Sequence, residues 1–150
     1  MITLDPRIIY QEIYGFGGAF TDSAGINIAS LSEGSQKKLL EAYFSSNGLE
    51  YTIGRVPMAS CDFSTREYSY LETPEDFELK NFKLTEEDYK YKIPYMKSAL
   101  NLTGGNIVFF ASPWSAPGWM KNTGKMKGTG SLRKEDRVYK AYADYFVRYP

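Results

Sequence analysis

At 150 residues, with 43% hydrophobic and 24% charged side chains, the chain is long enough for one domain with a real core and too apolar for wholesale disorder. Eighteen basic and eighteen acidic residues cancel, which removes any net-charge case for nucleic acid as a partner. Histidine is absent and cysteine occurs once, so histidine catalysis, disulfides within the chain and histidine or cysteine metal centres are excluded; no cofactor is expected, and chemistry must rest on carboxylates, hydroxyls, lysines or arginines.

The opening segment, MITLDPRIIYQEIYG, lacks the apolar run of a signal peptide, and no stretch approaches a membrane span. Taken literally this places the chain in the cytosol, unless the natural N-terminus lies upstream. IYGFGGAF, residues 13–20, reads as an apolar strand broken by glycine. A phosphate loop does not fit, because the third glycine of GxGxxG would fall at Phe20; close backbone approach or a bulge explains the glycines better. Thr21 and Asp22 follow, then a helical stretch in which Leu39, Leu40, Tyr43 and Phe44 share a face.

YTIGRV, residues 51–56, is the second strand, and Pro57 is expected to stop its ladder. Arg55, set in an apolar run, must either pair with an acid or face a polar cavity. Cys61 is read as a small buried hydrophobe, and Asp62 either caps the next turn or serves as a ligand group. From about Ser64 to Lys92 runs a loop rich in tyrosine and acid, of the length expected for a lid or an excursion. Within it Thr85 and Asp88 have capping-box spacing.

Pro94 suits the first turn of a helix with Met96, Ala99 and Leu100 on its inner side. NIVFFASP, residues 106–113, is apolar enough for a strand buried on both faces of a parallel sheet. Trp114 then sits in a loop stiffened by prolines, as a platform for a sugar face or as core. KNTGKMKGTG, residues 121–130, reads as a solvated basic loop, with contact to an acidic membrane surface as the second reading. Asn101-Leu102-Thr103 is a glycosylation sequon that matters only in a secreted chain. A last helix from about Lys134 carries Val138, Tyr142, Tyr145, Phe146 and Tyr149 as its apolar stripe.

Strand and helix alternate three times, the signature of βαβ units and a parallel sheet. In a (β/α)8 barrel the working residues lie at the carboxyl ends of the strands. Those ends carry Thr21 and Asp22, then Cys61, Asp62 and Phe63, then Pro113, Trp114 and Ser115.

GFGGAFTDSA, RVPMASCDFSTREYSYLETPEDFELKNF and ASPWSAPGWMK, in this order and spacing, closely resemble the glucosylceramidases, the acid β-glucosidases of glycoside hydrolase family thirty, and the animal lysosomal enzyme in particular. The likeness covers roughly Gly15 to Tyr145. It implies an α/β fold, a partial (β/α)8 TIM barrel comprising the first three βα units of the catalytic domain, with residues 1–150 as its incomplete N-terminal portion. It also implies a retaining glycosidase that removes glucose from glucosylceramide at acidic pH, in the lysosome, with a saposin-type activator and an acidic lipid surface as partners of the full-length enzyme. By resemblance Asp62 contacts glucose hydroxyls, Trp114 also contacts the glucose, Phe63 lies beside the pocket, and Arg55 supports the catalytic nucleophile.

Retention needs two carboxyl groups about 5–5.5 Å apart. The family's acid/base glutamate lies in an Asn-Glu-Pro motif on the fourth strand and its nucleophile on a later one; neither motif occurs here. Asp22 and Asp62, the acids at strand ends, match neither catalytic position, so the chain alone is expected to be inactive. With roughly three strands of eight, an open sheet leaves an apolar edge unpaired, and poor folding in isolation is expected as well. Two alternatives remain: a related enzyme acting on xylan or β-1,6-glucan, and a non-catalytic sugar-binding remnant that keeps Asp62 and Trp114.

Overall fold

The structure is a computed structural model and describes residues 2 and 4–150. Three strands, β1 (Gly17–Ala19), β2 (Ile53–Met58) and β3 (Val108–Pro113), form one parallel sheet in that order. Parallel neighbours cannot be joined by a tight turn, so each connection is a long crossover. The first carries α1 (Asp22–Ala29) and α2 (Glu33–Phe44). The second carries a π-helical turn, Asp88–Lys92, running straight into α3 (Ile93–Leu102). After β3 comes α4 (Asp136–Arg148).

Local chemistry sets the helix boundaries. Thr21 caps α1 by accepting from the Ala24 amide at 2.9 Å, and Ser32 caps α2 by accepting from the Ser35 amide at 3.3 Å. The serine-rich break between them divides what the periodicity suggested was one helical stretch. Thr85 and Asp88 do meet: the Thr85 amide and hydroxyl both donate to Asp88 Oδ2 at 2.9 Å. Pro94 sits in the first turn of α3, but the buried side of that helix is Tyr95 and Ala99, while Leu100 is exposed.

The register places Gly17, Ile53 and Val108 side by side, then Ala19, Arg55 and Phe110, then Pro57 and Ser112. Strand side chains alternate faces, so these residues share one face of the sheet. The other face, with Val56, Met58, Phe109 and Ala111, packs under the helices. Two apolar clusters lie there. Leu40, Phe44, Tyr95, Ala99 and Ile107 join α2 and α3 to the sheet, with Phe20 and Phe109 against them. Met58, Tyr70, Leu71, Met120, Val138 and Tyr145 join the end of β2 to the second crossover and α4.

Four expectations are corrected. Only residues 17–19 of the first predicted strand enter the ladder, because Ile13, Tyr14 and Phe16 are exposed and the chain joins the sheet where the Phe16 carbonyl accepts from Thr52 and Ile53. Glycine is required there, since a Cβ on Gly17 would overlap the Ile53 carbonyl. Pro57 does not stop β2, which continues to Met58. The carbonyl of Arg55 accepts from Phe20, so the polar groups of residue 57, two further on, face the side where β1 has already ended, and a missing N–H leaves no bond unmade. β3 is not buried on both faces: Val108 and Phe110 are 50% and 51% exposed. The segment from Ser64 to Lys92 is no lid, because Tyr68, Tyr70, Leu71 and Leu79 are core residues and Trp119 Nε1 donates to the Leu71 carbonyl at 3.0 Å.

Candidate functional site

The carboxyl ends of all three strands open at one edge of the sheet. The end of β2 is the most heavily built. Ala59 adopts a left-handed backbone, φ 66°, which turns the chain out of the sheet plane. Two carbonyls at this exit, Pro57 and Ala59, lose their ladder partners, and Lys92 supplies new ones: its Nζ donates to both at 3.1 Å. The lysine is 1% exposed, and Asp88 Oδ1 lies 3.0 Å from its ammonium. The Tyr70 hydroxyl donates to the same carboxylate oxygen at 2.6 Å, and the Tyr68 and Tyr70 rings flank the ammonium. A buried charge pair persists only when its remaining bonds are made, and here each one is.

From this anchor the chain runs into the turn Cys61–Ser64. Ser64, not Asp62, closes it: its hydroxyl accepts from the Cys61 amide at 3.0 Å, and its own amide donates to the Cys61 carbonyl at 3.1 Å. Asp62 therefore does not cap the turn. Its exposed carboxylate has no hydrogen-bond or ion-pair partner among the described residues, and Phe63 beside it is 77% exposed. Cys61 is half-buried rather than a core hydrophobe.

Arg55 and Trp114 are brought together. The guanidinium lies 4.0 Å from the centre of the indole, a cation–π contact across the β2–β3 register. Nε and one Nη2 hydrogen of Arg55 point at Ser112 Oγ, at 3.3 and 3.2 Å. No carboxylate pairs with it among the described residues, so the structural salt bridge that buried arginines commonly form is not made here. An arginine has five N–H donors; two go to serine, and three stay free to meet an anion. Trp114 keeps 41% of its surface exposed. No hydrogen bond or ion pair among the described residues joins Asp62 to Arg55 or Trp114; the two groups stand on neighbouring strand ends.

Asp22, the other strand-end acid, is buried. It accepts from the Ser64 hydroxyl at 2.8 Å and from the Tyr68 hydroxyl at 3.3 Å. Burial, then the nearby carboxyl groups of Asp22 and Asp88, push the Tyr68 phenol far above its ordinary range, so it remains a donor. Neither this contact nor the burial of Lys92 was foreseen from the sequence. The Asp88–Lys92 spacing could have suggested a pair, but spacing carries no sign that the pair is buried. Among the described residues no group of three acids or cysteines is placed to hold a metal.

Comparison with known proteins gives this architecture a context. A family model described as the glycosyl hydrolase family 30 TIM-barrel domain matches residues 13–150. Putative glucosylceramidase 3 of Caenorhabditis elegans is 61% identical over 148 residues, covering 99% of this chain and 28% of that protein. Lysosomal acid glucosylceramidase of Mus musculus is 50% identical over 151 residues, covering 99% of the chain and 29% of that protein. Among solved structures, SrfJ from Salmonella typhimurium superposes with a TM-score of 0.87 at 38% identity, covering 96% of this chain and 32% of that one. The chain thus spans under a third of the length of these relatives.

Proposed function

This chain belongs to glycosyl hydrolase family 30, and we propose that it forms the N-terminal part of the catalytic barrel of a retaining β-glucosidase that splits glucosylceramide into glucose and ceramide. The observation that carries the reading is Asp62: an exposed carboxylate without a hydrogen-bond or ion-pair partner among the described residues, held on a built turn at the carboxyl end of a barrel strand, where such folds place their chemistry. A carboxylate offers only acceptors, and sugar hydroxyls are donors. Trp114 supplies an apolar face for the sugar ring and Phe63 a wall beside it.

Arg55 has a different task. Its three remaining N–H groups make no hydrogen bond among the described residues, and a carboxylate placed beside them by a later strand would be fixed in orientation and kept ionised. That is what a glycosidase nucleophile requires. The acid/base and the nucleophile themselves are outside these residues, so this segment binds and orients while the paired carboxyl groups act. A lysosomal setting, a saposin-type activator and an acidic lipid surface belong to the same proposal, with the basic loop 121–130 as the stretch available to an anionic membrane.

Two assays test it. The 150-residue chain should release no glucose from glucosylceramide or a chromogenic β-glucoside above blank. In the longer polypeptide that contains this segment, Asp62→Ala should lower kcat/KM on glucosylceramide roughly 10–100-fold, as expected for one lost hydrogen bond to a charged group. Turnover of xylan or β-1,6-glucan faster than of the glycolipid would replace the substrate assignment.

A further inference from the structure

We propose that Asp22 and Ser64 form a latch between the ends of β1 and β2 that fixes the turn carrying Asp62, making both of them positioning residues. The role rests on the reading of Asp62 as the sugar-contacting carboxylate; the latch itself stands on geometry.

Asp22 is only 1% exposed and opens α1, yet the capping of that helix is already done by Thr21. Among the described residues it has no cationic partner within ion-pair distance. A carboxyl group in that position is costly to bury unless its oxygens are hydrogen-bonded. Oδ1 accepts from the Ser23 amide at 3.0 Å and from the Ser64 hydroxyl at 2.8 Å, and Oδ2 accepts from the Tyr68 hydroxyl at 3.3 Å. Two of the three donors come from the β2 exit, more than 40 residues away in sequence. Local capping explains neither.

Ser64 connects the two ends. Its single hydroxyl donates to Asp22 and accepts from the Cys61 amide, so a relay runs from the Cys61 N–H through Ser64 Oγ to the buried carboxyl group. Asp62 and Phe63 lie inside the loop that this relay closes. Because the Asp62 side chain has no hydrogen-bond or ion-pair partner among the described residues, the backbone of that turn determines where its carboxylate sits. In a sugar site, a misplacement of about 1 Å is enough to lose most of the benefit of orientation.

The chain carries its own reporter, since Cys61 is the single cysteine and belongs to the turn. Its rate of reaction with 5,5′-dithiobis(2-nitrobenzoate) rises when the turn opens; because the Ser64 hydroxyl also lies 3.8 Å from Cys61 Sγ, Asp22→Ala, which leaves that contact in place, is the deciding variant. Ser64→Ala should raise that rate about fivefold, the consequence of one lost hydrogen bond, and Asp22→Ala should raise it similarly. Ser64→Thr, which keeps the hydroxyl, should restore the slow rate. Tyr95→Phe, which removes a hydrogen bond between α3 and Gln36 of α2, should leave it unchanged, so a general loosening is told apart from an opened latch. An Asp22→Ala rate equal to that of the wild type overturns the latch, whatever the rate of Ser64→Ala. So does a wild-type rate already equal to that in guanidinium, because the turn would then not be held at all. Faster labelling in the latch variants, together with an Asp62→Ala enzyme whose KM for glucoside is normal, upholds the latch and sinks the sugar reading instead.

Discussion

Both faces of the sheet carry large apolar side chains, and those side chains have different fates. Under the helices, Val56 and Met58 are each 2% exposed, and Phe109 and Ala111 pack against the two apolar clusters. On the opposite face Val108 and Phe110 stand about half exposed beside Arg55 and Ser112. In a family 30 barrel that second face is the interior, where side chains from alternate strands fill layers. An apolar strand therefore announces burial in the complete fold, and a sheet of three strands fulfils only half of that. The carboxyl ends need no such completion: Lys92, Asp88, Asp22 and Ser64 already hold the β2 exit in place.

The contrast is broken most severely at its packed end. Lys92→Ala removes a buried cation and strands Asp88 together with the Pro57 and Ala59 carbonyls, a loss of about 3–5 kcal/mol. A sheet with two free edges has little stability in reserve, so the variant should lack near-UV circular dichroism at 25 °C under conditions where the parent chain retains it. A variant that keeps its spectrum would mean that the lysine does not anchor the strand end. The two faces are compared directly by a pair of truncations. Met58→Ala, on the helix side, should cost about 2–5 kcal/mol, and Phe110→Ala, on the open side, no more than about 1 kcal/mol in the isolated chain, by urea unfolding. Equal costs would show that the open face is covered in solution. Asp62→Ala should change the stability of the chain by less than about 0.5 kcal/mol, since its carboxylate is exposed and makes no hydrogen bond or ion pair among the described residues.

How much of this was legible depended on whether a residue's role is local. The three parallel strands and the strand-end placement of Asp62, Phe63 and Trp114 follow from apolar runs and turn residues, which act over a few positions. Pro57 misled because a proline's cost in a sheet depends on whether a neighbour lies on its N–H side, and the early end of β1 cannot be read from the proline itself. The segment from Ser64 to Lys92 misled for a related reason. Its tyrosines are polar enough to read as loop, yet Tyr70 stacks on Tyr145 of α4 and on Tyr149 just beyond it. Arg55 was identified as needing a partner, but its partners, Ser112 and Trp114, come from another strand. Burial pairs residues far apart in sequence, and one sequence does not state those pairs.

The smallest expected effect concerns acid, and it bears on how the second crossover would behave at low pH. Glu87 is mostly buried, which by itself raises its pKa, but the bidentate hydrogen bonds from Arg66, at 2.6 and 2.8 Å, together with a backbone hydrogen bond, outweigh burial and hold it below its ordinary 4.5. A carboxylate whose folded pKa is depressed stabilises the fold fully above its unfolded value and loses that contribution as pH falls through the folded one. Between pH 7 and pH 5 the pair should therefore contribute a constant amount, and the decline should begin only below about 4.5. Glu87→Gln cannot titrate, so its urea midpoint should sit below that of the parent at pH 6 and converge with it as pH is lowered toward 3. Midpoints that stay parallel down to pH 3 would mean that the Arg66 pair contributes nothing measurable, and that the buried tyrosines hold this crossover against α4 without it.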